Sequence, residues 1–377
     1  MLHIVYCIHG TFNSGGMERI LANKANYLCR KGYNITIITT DQQGRKDFFP
    51  LSSSIQRFDL KINYTATKRR NIFSTIIRHL WKTHVHKKRL SQVLKKLKAD
   101  VVISMFCNEV NFLYQIRDGS VKIAEIHFAK YFRQKYGRSG FWKLADLYRD
   151  RKESRLVNRY HRFIVLTEQD RLRWGGSSNI CTIHNACTFH PQKLASLMEK
   201  TVLAVGRFSH QKGFDFLIQA WNIVAFHHPD WKLRIVGDGE LKEQLKGLIS
   251  KLKLDQQIEL IAPTKNIETE YLNGSIFVMS SRYEGLPMVL LEAASCGLPL
   301  ISFDCPCGPA EVIQSEWNGL LVDPEQIELL AKAINRLIEN PTLRLEMGKH
   351  ALETAAKFSE ELIMAQWMNL FDEIRPH

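Results

Sequence analysis

What this sequence lacks narrows its class first. No apolar run approaches the ~20 residues that a membrane-spanning helix needs. The eight cysteines (Cys7, Cys29, Cys107, Cys181, Cys187, Cys296, Cys305 and Cys307) include no C-x-x-C pair. That scatter argues for reduced thiols in the cytoplasm, against a disulfide framework or a zinc site. The opening residues, MLHIVYCIHG, have neither a basic n-region nor a long apolar h-region and read as a first strand. Short internal repeats and low-complexity tracts are absent. Carboxylates are scarce in one half of the chain. Residues 1–200 hold 36 Lys and Arg against 14 Asp and Glu, a net of +22; residues 201–377 hold 16 against 24, a net of −8. A basic half of this strength points to nucleic acid, an anionic membrane surface or an acidic substrate, against the plainer alternative of a well-solvated surface.

What is present fits a soluble globular chain of two domains: 377 residues, 45% hydrophobic and 24% charged. In the first half, HIVYCI (3–8), NITIIT (34–39), DVVISM (100–105), VKIAEI (121–126), RFIVLT (162–167) and NICTIH (179–184) are short, β-branched and almost continuously apolar. Such runs suit strands buried on both faces of a parallel sheet. Helical patterns lie between them, as in GMERILANKANYLCRKG, which stops at Gly32. The second half repeats the scheme with TVLAVG (201–206), KLRIVG (232–237), QIELIA (257–262), SIFVMS (275–280) and LPLISFD (298–304). Alternating strands and helices predict two doubly wound α/β domains. The stretch 185–200 has little period, so the domains are placed at 1–190 and 200–360, with an amphipathic helix at 361–377. Sheets of this kind bind ligands at the carboxyl ends of their strands, and two of them would make a cleft.

Three stretches carry candidate chemistry. In GTFNSGGMERI a glycine loop follows the first strand and leads into a helix at Gly15 and Gly16, where free amides favour an anion. The spacing is not G-x-G-x-x-G, although Asp41 near the end of the second strand keeps a dinucleotide site open. In VGRFSHQKGFDFLIQA, Arg207 and Lys212 occupy the loop between a strand and a helix, a diphosphate site or a solvated charge pair. In SSRYEGLPMVLLEAASCGLP, Glu284 precedes a helix whose first turn suits Pro287, and Glu292 lies inside that helix. Two carboxyls ~5 to 10 Å apart would serve glycoside hydrolysis. An elongated ligand gripped at both ends fits equally well, and helix-start chemistry explains Glu284 better than Glu292.

Taken together, GGMER, VGRFSHQKG, IVGDGE, SRYEGLPMVLLEAASCGLPLISFD and WNGLLVDP resemble family 4 of the glycosyltransferases, over nearly the whole chain. The resemblance implies a GT-B fold, two doubly wound Rossmann-like domains facing across a deep cleft. It also implies a C-terminal helix that crosses back to the N-terminal domain, and retaining transfer from a nucleotide sugar. It assigns hydroxyls of the donor sugar to Glu284 and its neighbours Gly285 and Leu286, the ribose to Glu292, and the diphosphate to Arg207, Lys212, Gly15 and Gly16. His127, in EIHFAK, would sit near the anomeric carbon, and the base near Ala262 and Pro263. His127 and Glu284 are thus the catalytic candidates. UDP is the commonest nucleotide of the family. No Asp-x-Asp metal motif stands in the expected place, and Arg207 with Lys212 would substitute for a divalent ion, so no metal or other cofactor is expected. Front-face attack is the mechanism usually described, with the leaving phosphate taking the acceptor's proton.

The family's N-terminal domain meets the acceptor, which gives the basic half a meaning. In KRRNIFSTIIRHLWKTHVHKKRLSQVLKKLK, Ile72, Phe73, Ile76, Ile77, Leu80 and Trp81 recur at helical spacing among Lys68, Arg69, Arg70, Arg78, Lys87, Lys88 and Arg89. This reads as an interfacial helix or as one packed on its own domain. The expectation is a peripheral enzyme on the inner face of the cell membrane, using a lipid-linked saccharide acceptor in surface polysaccharide assembly, with no nucleic-acid partner. His79, His84 and His86 lack the carboxylates or cysteines that a metal site would need. The alternatives are a nucleic-acid-binding protein, or an epimerase or hydrolase acting on sugar nucleotides.

Overall fold

The computed structural model describes residues 2–66, 72–130, 141–187, 189–264 and 266–375. The chain divides into two compact units, one formed by 2–130, 141–183 and 363–375, the other by 184–362. Each is built on a parallel sheet.

The first sheet contains β1 (His3–Ile8), β2 (Asn34–Thr39), β3 (Gln56–Asp59), β4 (Val101–Ser104), β5 (Val121–Glu125), β6 (Arg162–Val165) and β7 (Ile180–Thr182), in the order β3-β2-β1-β4-β5-β6-β7. The second contains β8 (Thr201–Val205), β9 (Lys232–Val236), β10 (Ile258–Ile261), β11 (Ile276–Met279), β12 (Leu300–Phe303) and β13 (Gly319–Val322), in the order β10-β9-β8-β11-β12-β13. Every pair is parallel; β1 and β4, for example, align Ile4 with Val101 and Cys7 with Ser104. Helices cover both faces, so the central strands are buried along almost their whole length and read as continuous apolar runs. Trp221, Phe208 and Phe303 fill the core of the second unit; Phe163, Trp174 and Leu90 belong to that of the first. Among the described residues no helix is long and apolar enough to cross a membrane.

Two strands escape the sequence reading. β3 is the short edge strand Gln-Arg-Phe-Asp, largely exposed and without an apolar run. β13 begins on the glycine of an Asn-Gly pair that resembles a turn, and Gly319 is needed there because a Cβ would meet Leu300 O at 2.1 Å. The helix Met288–Ser295 starts one residue later than predicted. Pro287 has φ −78° and ψ 97°, an extended conformation that caps the helix from outside.

The helix Ile72–Leu97 has two different halves. Leu90 and Leu94 bury its C-terminal half in the first core, whereas residues 74–81 are exposed all round. Ile77 is 67% and Trp81 62% exposed. For this half the reading as a helix packed on its own domain is therefore overturned. Lys68, Arg69 and Arg70 lie outside the described residues. At the other end of the chain, the helix Glu360–Glu373 is held in the first unit by aromatic contacts: the Lys24 ammonium lies 3.7 Å from the centre of the Trp367 ring, and Phe371 packs 6.0 Å from Tyr33.

Among the groups of the first unit that burial perturbs, three titrate between pH 4 and 7. Burial pushes His86 and His127 down to about 4, and the Glu109 carboxyl up to about 7 even though Ser104 Oγ donates to it at 2.6 Å. The unfolded chain binds protons to both histidines below their ordinary value near 6.5 while the folded chain does not. Each therefore removes stability as pH falls from about 6.5 to 4, at about 1.4 kcal/mol per pH unit where fully expressed. Glu109 acts oppositely, removing stability as pH rises from about 4.5 to 7. We expect thermal unfolding measured against pH to show a net loss between pH 6 and 4.5. His86→Phe, which keeps the ring volume, should make that slope shallower, and Glu109→Gln should make it steeper.

Candidate functional site

The second sheet reverses its strand order between β8 and β11, so the loops after these two strands emerge side by side. That is the position where doubly wound sheets take ligands. Lys212 comes from the first loop and Glu284 from the second; Lys212 Nζ donates to Glu284 Oε1 at 2.6 Å. Ser281 Oγ donates to the same oxygen at 2.7 Å. The carboxylate side chain is only 8% exposed and the lysine 17%.

Local constraints shape both loops. Gly213 ends the first loop at φ 61°, and a Cβ there would fall 2.1 Å from Ser280 O, so only glycine lets the loops approach this closely. At Gly206 a Cβ would press on the Lys212 stem at 3.2 Å, so the bare backbone makes room for the lysine across the strand end.

Arg282 then ties the loops together. Its guanidinium makes a bidentate pair with Asp215, Nη1 to Oδ1 at 2.9 Å and Nη2 to Oδ2 at 2.6 Å, and Nη1 also donates to His210 O at 2.8 Å. The Arg282 amide donates to Gln211 O, and Gln211 Nε2 returns a bond to Tyr283 O at 3.1 Å. Planar bidentate pairing fixes orientation as well as distance. Behind the second loop, Gly308, at φ 105°, packs so closely that a Cβ would meet Gly285 O at 1.9 Å.

The other predicted residues of this unit fall around the pair. Arg207 is exposed in the β8 loop; Leu286 is buried and Gly285 partly so. Pro263 is exposed in the loop after β10. Glu292 lies in the second turn of its helix, buried, and accepts from the Tyr271 hydroxyl at 2.8 Å. The two glutamates are thus held by different partners, one by a cation and one by a phenol.

The first unit carries the remaining candidates. Gly15 precedes the helix Gly16–Arg30, and a Cβ on it would fall 2.3 Å from Glu18 Oε2, because Glu18 folds back over the helix start. Asn13 Nδ2 holds Glu18 Oε1 there at 3.2 Å. Gly16 faces open space. His127 follows β5 and is buried, its Nε2 3.3 Å from Glu125 Oε1, with hydrogen-bond geometry unmet at either ring nitrogen. Glu125 itself pairs with the buried Lys24. Burial, which pushes its pKa down to about 4, leaves the His127 ring uncharged at neutral pH. Asp41 is fully buried: its Oδ1 accepts from the Thr65 amide at 2.9 Å and hydroxyl at 2.8 Å, and its Oδ2 lies 3.4 Å from His9 Nδ1, so neither oxygen is open to a ribose at that strand end. On the basic helix, Arg78, Trp81, Lys87, Lys88 and Arg89 are exposed; Lys87 Nζ donates to Gln115 Oε1, and Arg89 Nη1 donates to Leu60 O at 2.6 Å.

Sequence reading missed Arg282, Asp215, Ser281, Tyr271 and Glu18. All but Tyr271 lie within the quoted motifs, and only their pairing marks them out.

The chain matches the family described as Glycosyltransferase Family 4 over residues 14–190, and Glycosyl transferases group 1 over residues 188–354. It is 30% identical, over 98% of its length and 100% of the relative, to a Haemophilus influenzae protein described as an uncharacterized glycosyltransferase. It is 24% identical, over 100% of its length and 99% of the relative, to a Campylobacter jejuni alpha-1,4-N-acetyl-D-galactosaminyltransferase named for a diNAcBac-PP-undecaprenol-linked saccharide. Its fold is similar to that of an S. aureus TarM variant crystallised with fondaparinux, alpha-GlcNAc-glycerol and UDP, with a TM-score of 0.79 and 19% identity, covering 99% of this chain and 100% of that one. The chain belongs to family 4 of the glycosyltransferases, built on the two parallel-sheet domains of the GT-B fold.

Proposed function

We propose that the protein moves a hexose or N-acetylhexosamine from a UDP-sugar to a lipid-linked saccharide, with retention of configuration, in surface polysaccharide assembly. The observation that carries this reading is the Lys212–Glu284 pair at the reversal point of the second sheet. A cation and a carboxylate side by side suit a ligand that presents an anion next to hydroxyls, as a nucleotide sugar does. Lys212 and the exposed Arg207 hold the diphosphate and stabilise the charge that grows on it as the glycosidic bond breaks, in place of a divalent ion. Glu284, with Gly285 and Leu286, orients the sugar. Glu292 takes the ribose, and the backbone near Pro263 takes the base.

In the first unit the amides at Gly15 and Gly16 suit an anion, and His127 offers an uncharged ring. The departing phosphate accepts the acceptor's proton. The C. jejuni relative, named for an undecaprenol-linked saccharide, supports the lipid-linked acceptor. The S. aureus structure, crystallised with UDP, supports the nucleotide.

The exposed half of the helix Ile72–Leu97 supports docking on an anionic membrane surface. Ile76, Ile77, Leu80 and Trp81 are all more than half exposed, and Arg78, Lys87 and Lys88 flank them. Each cation near such a surface contributes ~1 kcal/mol, and an aromatic with aliphatic neighbours suits the headgroup boundary.

Three experiments test the proposal. In a thermal-shift screen of UDP-, GDP- and ADP-sugars, a UDP-sugar should raise the melting temperature. In an assay of sugar-nucleotide hydrolysis, Glu284→Ala or Arg207→Ala should lower turnover of that donor by about 100-fold. Unchanged turnover in both variants would remove the site assignment. In vesicle flotation at low salt, the protein should float with anionic but not neutral vesicles. The double change Ile77→Ser, Trp81→Ser should release most of it; equal flotation of the variant would refute the docking surface.

A further inference from the structure

The two residues that would grip the diphosphate and the sugar grip each other: Lys212 Nζ lies 2.6 Å from Glu284 Oε1. We infer that this ion pair makes the site discriminate an intact nucleotide sugar from a bare nucleoside diphosphate, and so favours release of the spent nucleotide. The inference rests on the reading of Lys212 and Glu284 as donor-binding residues.

The two partners differ in freedom. Glu284 cannot follow the lysine, because its loop is fixed by the Arg282–Asp215 pair, by the crossed bonds between Gln211 and residues 282 and 283, and by Gly308 packed behind Gly285. Lys212 has a flexible four-carbon stem lying over Gly206, where no side chain crowds it, and twice the exposure of its partner. A diphosphate arriving at the β8 loop therefore draws Lys212 away and leaves Glu284 behind. Breaking one side of a largely buried ion pair is costly, because the remaining charge is out of water. Ser281 Oγ is the donor that stays on Glu284.

A bare diphosphate leaves that deficit uncorrected. A nucleotide sugar corrects it, because its sugar hydroxyls donate to the abandoned carboxylate. The binding of the two ligand halves is thus coupled: each is tighter when the other is present. After transfer the sugar is gone, Glu284 recaptures Lys212, and the diphosphate loses a cation. If the pair holds Lys212 in about nine molecules of ten, a bare diphosphate binds about tenfold more weakly than to a free lysine.

Calorimetric titration of the full-length protein with UDP and with the UDP-sugar that stabilises it most tests this by the sign of the change. Glu284→Gln frees Lys212 while keeping the shape of the side chain. It should tighten UDP about tenfold and weaken the UDP-sugar. Ser281→Ala removes the donor that stays on Glu284, so it should weaken UDP more than the UDP-sugar, and circular dichroism confirms that both variants fold. UDP affinity unchanged or lowered in Glu284→Gln would overturn the coupling and leave the donor site standing. Failure of the wild-type protein to bind any of the UDP-, GDP- or ADP-linked ligands would overturn both.

Discussion

An ammonium and a carboxylate 2.6 Å apart, each mostly out of water, organise the functional end of the second unit. They come from residues 72 positions apart in the chain. Only a parallel sheet that reverses its strand order between β8 and β11 brings those two loops together. Glycine at 213 is then a consequence, since any Cβ there would strike Ser280 O. So is the Arg282–Asp215 fork, which keeps the approach rigid. Preorganisation of this kind matters most where charge develops on a leaving group, because the surroundings need not rearrange as the bond breaks.

Much of this was legible in the sequence, for a physical reason. Strands buried on both faces are apolar at almost every position, so nine of the eleven runs read as strands coincide with interior members of the sheets, and NICTIH and QIELIA fall on the edge strands β7 and β10. The edge strand β3 was not legible, because one with polar, exposed residues has no pattern to show. The site residues were recognisable as types in motifs: cations in one loop, carboxylates in the next. Their partnership was not, because no local rule tells Glu284 that it faces Lys212 or Glu292 that it faces Tyr271. The same gap explains Asp41 and Arg89. Both have the residue type and position of binding groups, yet backbone groups at Thr65 and Leu60 already engage them.

The helix Ile72–Leu97 makes the complementary point. Its apolar residues repeat at one spacing from end to end, so periodicity alone gives one reading for the whole helix. The structure separates two roles: Leu90 and Leu94 are wholly buried, and Ile77, Leu80 and Trp81 stand in solvent. Exposed apolar side chains among cations keep their cost in water unless a surface covers them. This helix belongs to the basic half of the sequence, whereas Lys212 and Glu284 belong to the acidic half.

Each unit also holds a largely buried lysine–glutamate pair near the carboxyl ends of its strands, and comparison of the two separates structure from function. Lys24 and Glu125 are exposed by only 6% and 1%, and the Trp367 ring covers the ammonium. That pair is sealed: no ligand replaces either partner without unpacking the C-terminal helix, and burial leaves the neighbouring His127 ring neutral. Lys212 and Glu284 are exposed by 17% and 8%, with no ring over the lysine among the described contacts, and the stem runs over a glycine. Burial is enough to make the second pair strong and too little to make it permanent. An ion pair of that kind can be exchanged for a ligand carrying both an anion and hydroxyls, whereas a sealed one can only support the fold.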